Sequence, residues 1–338
     1  LGRTEISAQS SGKGWRSLVP GLVVSLVCLA VVFYFADLHK LLLALRQANY
    51  LLVLCSLGSM LAWLLVRAAG WRTILGDRPT YAQVFWTVNE GYLLNNLLPF
   101  RLGELGRALL LSRKAGMDFW EVLSSIVVER ALDLALTAGM LLSLLPFVVG
   151  ASWAWQAAAA TAVLVLTGLG VLYLGAKYRD WSLKILQRLT SPWPRLQDYA
   201  SRFAVPFLDG LAVLTDLKRF LRTIAWFALN WLIAIVQDYF LLLAFVPNAR
   251  PLWSAFALCV MALGGAAPSS PGGLGVWEVA LVGALAVFGV DASLALAFAL
   301  TIHLMQYLLT GMLGAYGLAR DGETMLGLYH ELRSLRHT

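Results

Sequence analysis

The chain has 338 residues, 59% of them hydrophobic and 13% charged, with a formal net charge of +7, and its mean hydropathy is +0.73. A water-soluble domain carries about a quarter charged residues, so these values exclude an ordinary soluble protein, and several apolar runs approach the roughly 20 residues that cross a bilayer core. Short alternating strands of a transmembrane barrel are not visible; what remains is an all-α polytopic membrane protein, in which Lys and Arg placement reports topology and no nucleic-acid partner is expected.

In chain order, a tail at 1–17 carries Arg3, Lys13 and Arg16. The apolar run 18–36 is long and lacks a small-x-small cleavage site, so it reads as a retained first helix. Further crossings are expected at 51–71, 119–149, 154–176, 223–246 and 292–319, with the long stretch 119–149 starting as an interfacial or buried segment. Two regions between them behave differently. In 84–116, two apolar segments too short to cross flank Pro-Phe-Arg-Leu-Gly, and in 252–290, Ala-Pro-Ser-Ser-Pro-Gly-Gly-Leu-Gly breaks two more. Each predicts a re-entrant or broken-helix hairpin.

Six crossings and two hairpins leave both termini on one side. That side receives Arg3, Lys13, Arg16, Arg72, Arg78, the nine basic residues of 177–222, Arg320, Arg333 and Arg336; the other receives Lys40, Arg46 and Arg250. The asymmetry predicts a cell membrane protein with both termini, 1–17 and 320–338, in the cytoplasm; eight crossings, with each hairpin opened, is the alternative. The loop 177–222 mixes Trp181, Leu183, Ile185 and Leu186 with Lys184, Arg188, Arg195 and Arg202, a pattern expected to lie on an anionic leaflet or to dock a cytosolic partner. Cys28, Cys55 and Cys259 lie far apart in apolar segments and read as small buried hydrophobes.

A shift of 172 positions places Pro99, Leu102 and Gly103 on Pro271, Leu274 and Gly275, and the 51–71 and 119–149 segments on 223–243 and 291–321. The halves, about 51–149 and 223–319, are then inverted copies whose hairpins enter from opposite faces, as in transporters that bind substrate where paired Gly/Pro breaks meet. Arg101 and Glu104 correspond to Gly273 and Val276, so one hairpin supplies charge and the other bare backbone through Gly272, Gly273 and Gly275.

Ionisable groups at membrane depth face a cavity or a partner. Glu104 is three residues from both Arg101 and Arg107 and can pair with either on a helix; arginine forks suit phosphate oxygens. The alternative is a turn-holding motif at a cytoplasmic helix end, with Arg113 and Lys114 as interface anchors. Asn89, Glu90, Asn95 and Asn96 line the approach to this break. In VVERALDLAL, Arg130 and Asp133 are at i, i+3 and Glu129 and Asp133 at i, i+4, fitting either a buried salt-bridge knot or a polar pathway. Asn230, Gln237 and Asp238 share one helix, Glu278 follows the second break, and His303 has Gln306 and Tyr307 beside it. No catalytic or nucleotide-binding motif and no metal-ligand cluster is visible; no cofactor is expected, and transport would be passive or driven by an ion gradient or a partner.

NNLLPFRLGELGRALLL, then VVERALDLAL, then PSSPGGLGVWEVALVGALAVFGV resemble, in that order, the lysylphosphatidylglycerol synthase transmembrane family of flippase-like integral membrane proteins, over roughly residues 20 to 320. Asn96, Pro99, Arg101, Gly103, Glu104 and Arg107 match the first motif, Glu129, Arg130 and Asp133 the second, and Pro271, Gly272, Gly273, Gly275 and Glu278 the third. The resemblance implies a lipid-handling domain that, in full-length synthases, moves aminoacylated phosphatidylglycerol between leaflets beside a soluble transferase. About twenty residues follow Leu318, too few for that transferase, so a stand-alone member is expected. The function expected is translocation of an anionic phospholipid or lipid-linked precursor, held by Arg101 and Arg107, with Glu129, Arg130, Asp133, Asp238, Glu278 and His303 along the path. The alternatives are a membrane enzyme or a non-catalytic subunit of a separate lipid-modifying synthase or transferase.

Overall fold

The structure, a computed structural model, describes residues 19–98, 102–150, 153–193, 215–264 and 271–323, with isolated positions at 197, 204–205, 207–208 and 211. Among them every regular element is helical. In chain order these are α1 (Val19–Phe35), α2 (Leu38–Gln47), α3 (Tyr50–Ile74), α4 (Tyr81–Leu97), α5 (Leu102–Ala115), α6 (Phe119–Val149), α7 (Trp153–Lys177), α8 (Arg179–Thr190), α9 (Leu217–Phe245), α10 (Pro251–Gly264), a short turn of 3-10 helix (Pro271–Gly273), α11 (Val276–Ala286) and α12 (Ala292–Arg320). A bilayer core offers the backbone no water, so apolar runs satisfy their own N–H and C=O groups as helices. Short polar side chains start them. Asp37, Asn49, Asp118, Asp216 and Asp291 each accept backbone N–H groups of the first turn that follows, and Thr80 with Gln83 closes a capping box on α4.

Four described helices, α3, α6, α9 and α12, are long and apolar enough to cross a membrane. A fifth crossing arises if α1 and α2 form one bent span; the chain turns by 87° between them, where Asp37 stops one helix and caps the next. The predicted first helix, 18–36, coincides with α1, and the bend follows it. α7, 25 residues long, coincides with the run at 154–176. The stretch 119–149, expected to start as an interfacial or buried segment, is one continuous 31-residue helix, α6, whose first turns bury Val122, Ser124, Ser125 and Ile126.

The hairpin helices are short: 17 and 14 residues for α4 and α5, and 14 and 11 for α10 and α11. At 1.5 Å per residue they span about 25, 21, 21 and 17 Å, less than the roughly 30 Å core. Each pair packs on itself, as re-entrant hairpins do.

The 172-residue shift is visible in the packing. α3 and α9 form the largest helix pair. The Asn49 N–H donates to the Ala244 carbonyl at 3.1 Å, Asn230 Nδ2 donates to the Trp63 carbonyl at 2.9 Å, and Arg219 Nε donates to the Thr73 carbonyl at 2.9 Å. Position rises along α3 as it falls along α9, so these equivalent helices are antiparallel and the halves are inverted. The shift also exchanges α4 against α12 with α10 against α6, and both packings are present. Glycines permit the first: a Cβ on Gly314 would sit 2.6 Å from the Asn89 carbonyl oxygen, and one on Gly317 2.7 Å from Glu90 Oε1.

The ends of the bundle differ in charge. Arg72, Arg78, Arg219 and Arg222 gather around Asp77, Glu121 and the C-terminal carbonyls of α3, while Lys114 and Arg320 meet Asp321. At the other end Lys40 faces Asp291. The first hairpin opens toward the basic end and the second toward the other. One apolar cluster, around Leu241, Phe298 and Leu281, fills the second half. Another, around Trp71, Val84 and Ile126, fills the first.

Candidate functional site

In the first half, one charge sits where sequence spacing did not look. Arg67 lies in the spanning helix α3, 5% exposed, and its guanidinium reaches α6. It donates to Glu129 and, through both terminal nitrogens, to Asp133 at 3.0 and 2.5 Å. Arg107, on α5, binds the same Glu129 from the other side with a two-pronged contact, one arm of it 3.2 Å. Its guanidinium lies 3.6 Å over the Trp71 ring, and the Trp71 N–H donates to Ser125 Oγ at 3.0 Å. Arg130 joins Glu104 at 2.8 Å and Asp133 at 3.5 Å. Three arginines thus face three carboxylates, linking α3, α5 and α6 with no formal charge left over.

The cluster is graded. Glu129 is fully buried, whereas the side chain of Arg130 is 37% exposed. Its outer edge lines a crevice with Tyr92, Asn95 and Gly103, too narrow to hold a water molecule. There Glu104 Oε2 and Asn95 Oδ1 are buried without a hydrogen-bond partner, a costly state for polar groups in a low-dielectric setting. Gly103 makes the crevice possible, because a Cβ there would press into Asn95 and the Gly91 carbonyl. Glu104 pairs across to Arg130 rather than to Arg107 on its own helix. The knot reading of Glu129, Arg130 and Asp133 is the one the geometry matches. Arg101 and Pro99 lie outside the described residues.

Nearby, Lys114 is not a plain interface anchor. It lies 2.5 Å from both Glu90 Oε2 and Asp321 Oδ2, tying α4 and α5 to the end of α12. Asn96 Nδ2 donates to Thr310 Oγ1 at 3.1 Å, again joining α4 to α12.

The second hairpin builds a separate cluster. Gly272, Gly273 and Gly275 have φ of 70°, 80° and 86°, a left-handed path open to glycine; a Cβ on Gly272 would collide with the Tyr307 hydroxyl. His303 pairs with Glu278, Nδ1 to Oε1 at 2.6 Å. Its ring stacks 4.8 Å from Trp277. Pro271 opens this turn. Asp238, on α9, joins neither set of ion pairs: it is 1% exposed and its Oδ2 has no hydrogen-bond partner among the described residues. Among the described residues no group of three His, Cys, Asp or Glu could hold a metal ion.

Arg67, Trp71 and Ser125 were absent from the sequence-derived site. A signal for Arg67 existed, since an arginine inside the apolar run of a 25-residue helix demands a partner.

The chain matches a family model described as the lysylphosphatidylglycerol synthase TM region over residues 18–314. It is similar to two UPF0104 membrane proteins of Methanothermobacter thermautotrophicus, at 25% identity covering 86% of this chain and 89% of the relative, and at 24% identity covering 92% and 95%. A UPF0104 membrane protein of Methanocaldococcus jannaschii is 21% identical over 87% of this chain and 91% of its own length. No solved structure matches.

Proposed function

Because the chain belongs to the family of lysylphosphatidylglycerol synthase TM regions, a multi-pass membrane protein tied by that family to lipid metabolism, we propose that it is a lipid translocase that moves an anionic phospholipid or lipid-linked precursor between leaflets. One observation carries the reading: a charge-balanced cluster at membrane depth ends in a crevice where Arg130 is held by Glu104, a carboxylate with its other oxygen unsatisfied. A phosphate can replace Glu104 on Arg130 with little change in local charge, and the inner pairs of Arg67 and Arg107 with Glu129 hold the receiving frame in place. Arg101 is a further candidate for the phosphate, while Asn96, Asp238, Glu278 and His303 extend the polar route toward the second half. Acyl chains remain in lipid.

The reading places both termini in the cytoplasm of a cell membrane protein, on the basic end of the bundle. It lays α8, whose Trp181 and Leu189 are exposed, on the anionic leaflet.

Leaflet exchange of labelled anionic phospholipids in proteoliposomes tests it. Arg130→Ala should slow exchange by about tenfold or more, the equivalent of losing one charged hydrogen bond of roughly 1.5–3 kcal/mol. Glu104→Gln should change the rate without unfolding the protein. Folded wild-type protein that moves no lipid across a broad panel would sink the proposal. A second reading, a membrane subunit of a separate lipid-modifying synthase, is favoured by the internal neutrality of the cluster, and co-purification of such an enzyme in the absence of lipid exchange would select it.

A further inference from the structure

Glu278, on the first turn of α11, and His303, midway along α12, are 0% and 3% exposed. Glu278 Oε1 and His303 Nδ1 are 2.6 Å apart. The other carboxylate oxygen accepts the Gly275 N–H at 2.7 Å. The other ring nitrogen, Nε2, lies 3.2 Å from the Gly272 carbonyl oxygen. A carbonyl oxygen only accepts, so Nε2 must carry a proton for that contact to be a hydrogen bond, and a neutral imidazole has one N–H. With that N–H directed at Gly272, Nδ1 turns a lone pair toward Glu278, and an ionised carboxylate would set two acceptors face to face at 2.6 Å. One further proton resolves the conflict, on Nδ1 or on Oε1; the two descriptions differ only in where the shared proton rests.

We infer that the Glu278–His303 pair is a proton-binding site whose occupancy holds the Gly272–Gly273 turn, and that its proton is the coupling ion of translocation, a second step that rests on the translocase reading above. When the proton leaves, one N–H must serve two oxygens. The 3.2 Å contact to Gly272 is the longer and yields first. The freed segment carries three glycines at positive φ, residues that adopt other backbone conformations as readily. The turn packs against α4, whose Tyr92 and Asn95 line the crevice of the arginine cluster. Protonation at the second hairpin is thereby joined mechanically to the first. The arginine cluster does not offer this chemistry, since its fixed charges already balance.

Tyr307 faces the His303 ring from the same helix, with ring centroids 4.9 Å apart. The elements packed against α11 and α12 carry Cys28 and Tyr34 on α1, His39, Lys40 and Arg46 on α2, Tyr81, Glu90 and Tyr92 on α4, Asp238 and Tyr239 with the basic residues at the start of α9, and Cys259 on α10.

Two measurements on the full chain test the inference. Hydrogen–deuterium exchange over 271–276, corrected for intrinsic rates, is compared at about pH 6 and about pH 8.5; exchange should rise about tenfold at the higher pH. Glu278→Gln supplies a permanent N–H to Nδ1 and still accepts from Gly275, so its exchange should be alike at both values. Leaflet exchange of labelled phospholipid is then followed with and without an imposed pH gradient; the wild type should respond about tenfold and Glu278→Gln should not. Wild-type amide exchange indifferent to pH overturns the proton site, and this arm stands even if the variant fails to fold. A pH-linked turn in protein that moves no lipid supports the site and overturns the translocase reading. Lipid movement indifferent to the gradient overturns the coupling.

Discussion

Glu129 is the residue on which the first half turns. Its two oxygens are shared by Arg67 and Arg107, guanidinium groups that would otherwise face each other across a site with no exposure. Breaking a buried pair by removing one partner leaves an uncompensated charge, at a cost of about 3–5 kcal/mol. Glu129→Gln is therefore expected to lower the thermal unfolding temperature of detergent-solubilised protein strongly. Because both arginines share one acceptor, combining it with Arg107→Met should destabilise less than the sum of the two single changes. Additive losses would mean that the contacts do not act as a unit. Arg72, Arg78 and Arg222, half-exposed at the basic end, pair with Asp77 and Glu121, and substitutions there should each change stability by about 1 kcal/mol or less.

At the scale of elements, close approach depends on what is missing from side chains. α12 crosses α4 at Gly314 and Gly317, where the Asn89 carbonyl and the Glu90 carboxylate occupy the space a Cβ would need. Gly314→Val must push α12 away from α4 and with it strain the Lys114 link to Glu90 and Asp321. A loss of about 1–3 kcal/mol is expected from overpacking, measurable as a lower unfolding temperature. Gly311→Ala, which meets nothing within 4 Å, should be neutral or slightly stabilising. Equal effects at the two positions would contradict this account of the α4–α12 contact. Hairpin length belongs to the same scale: helices of 11 to 17 residues fall at or below the short end of what crosses a bilayer core, and each packs back on its hairpin partner.

For the whole molecule, the antiparallel α3–α9 pair makes the halves inverted, so the two breaks open toward opposite faces. Leu97, beside the first break, and Leu274, beside the second, are 53% and 44% exposed. In a background lacking Cys28, Cys55 and Cys259, a cysteine at one position should react with an impermeant maleimide added to one side of a sealed vesicle, and a cysteine at the other only from the opposite side. Labelling of both from the same side would exclude inverted hairpins. Only one half carries the charged cluster: the shift maps Arg67, Arg107 and Glu129 onto Tyr239, Val279 and Thr301, and the second half places its own polar pair elsewhere, at Glu278 and His303.

The sequence by itself determined the helical membrane class, the two broken hairpins and the 172-residue repeat, because these follow from local quantities: the length of apolar runs, the residues that cap them, and the glycines and prolines that interrupt them. It also placed Glu129 and Asp133 on one helix face, since i, i+4 neighbours are set by helix geometry. Only the tertiary structure decided the partners. Arg67 meets Glu129 across 62 positions and Glu278 meets His303 across 25, and Glu104 turns to Arg130 on another helix although Arg107 lies three residues away. A buried charge takes whichever counter-charge the packing brings within reach, and that choice is made by how helices cross, which spacing along the chain does not encode.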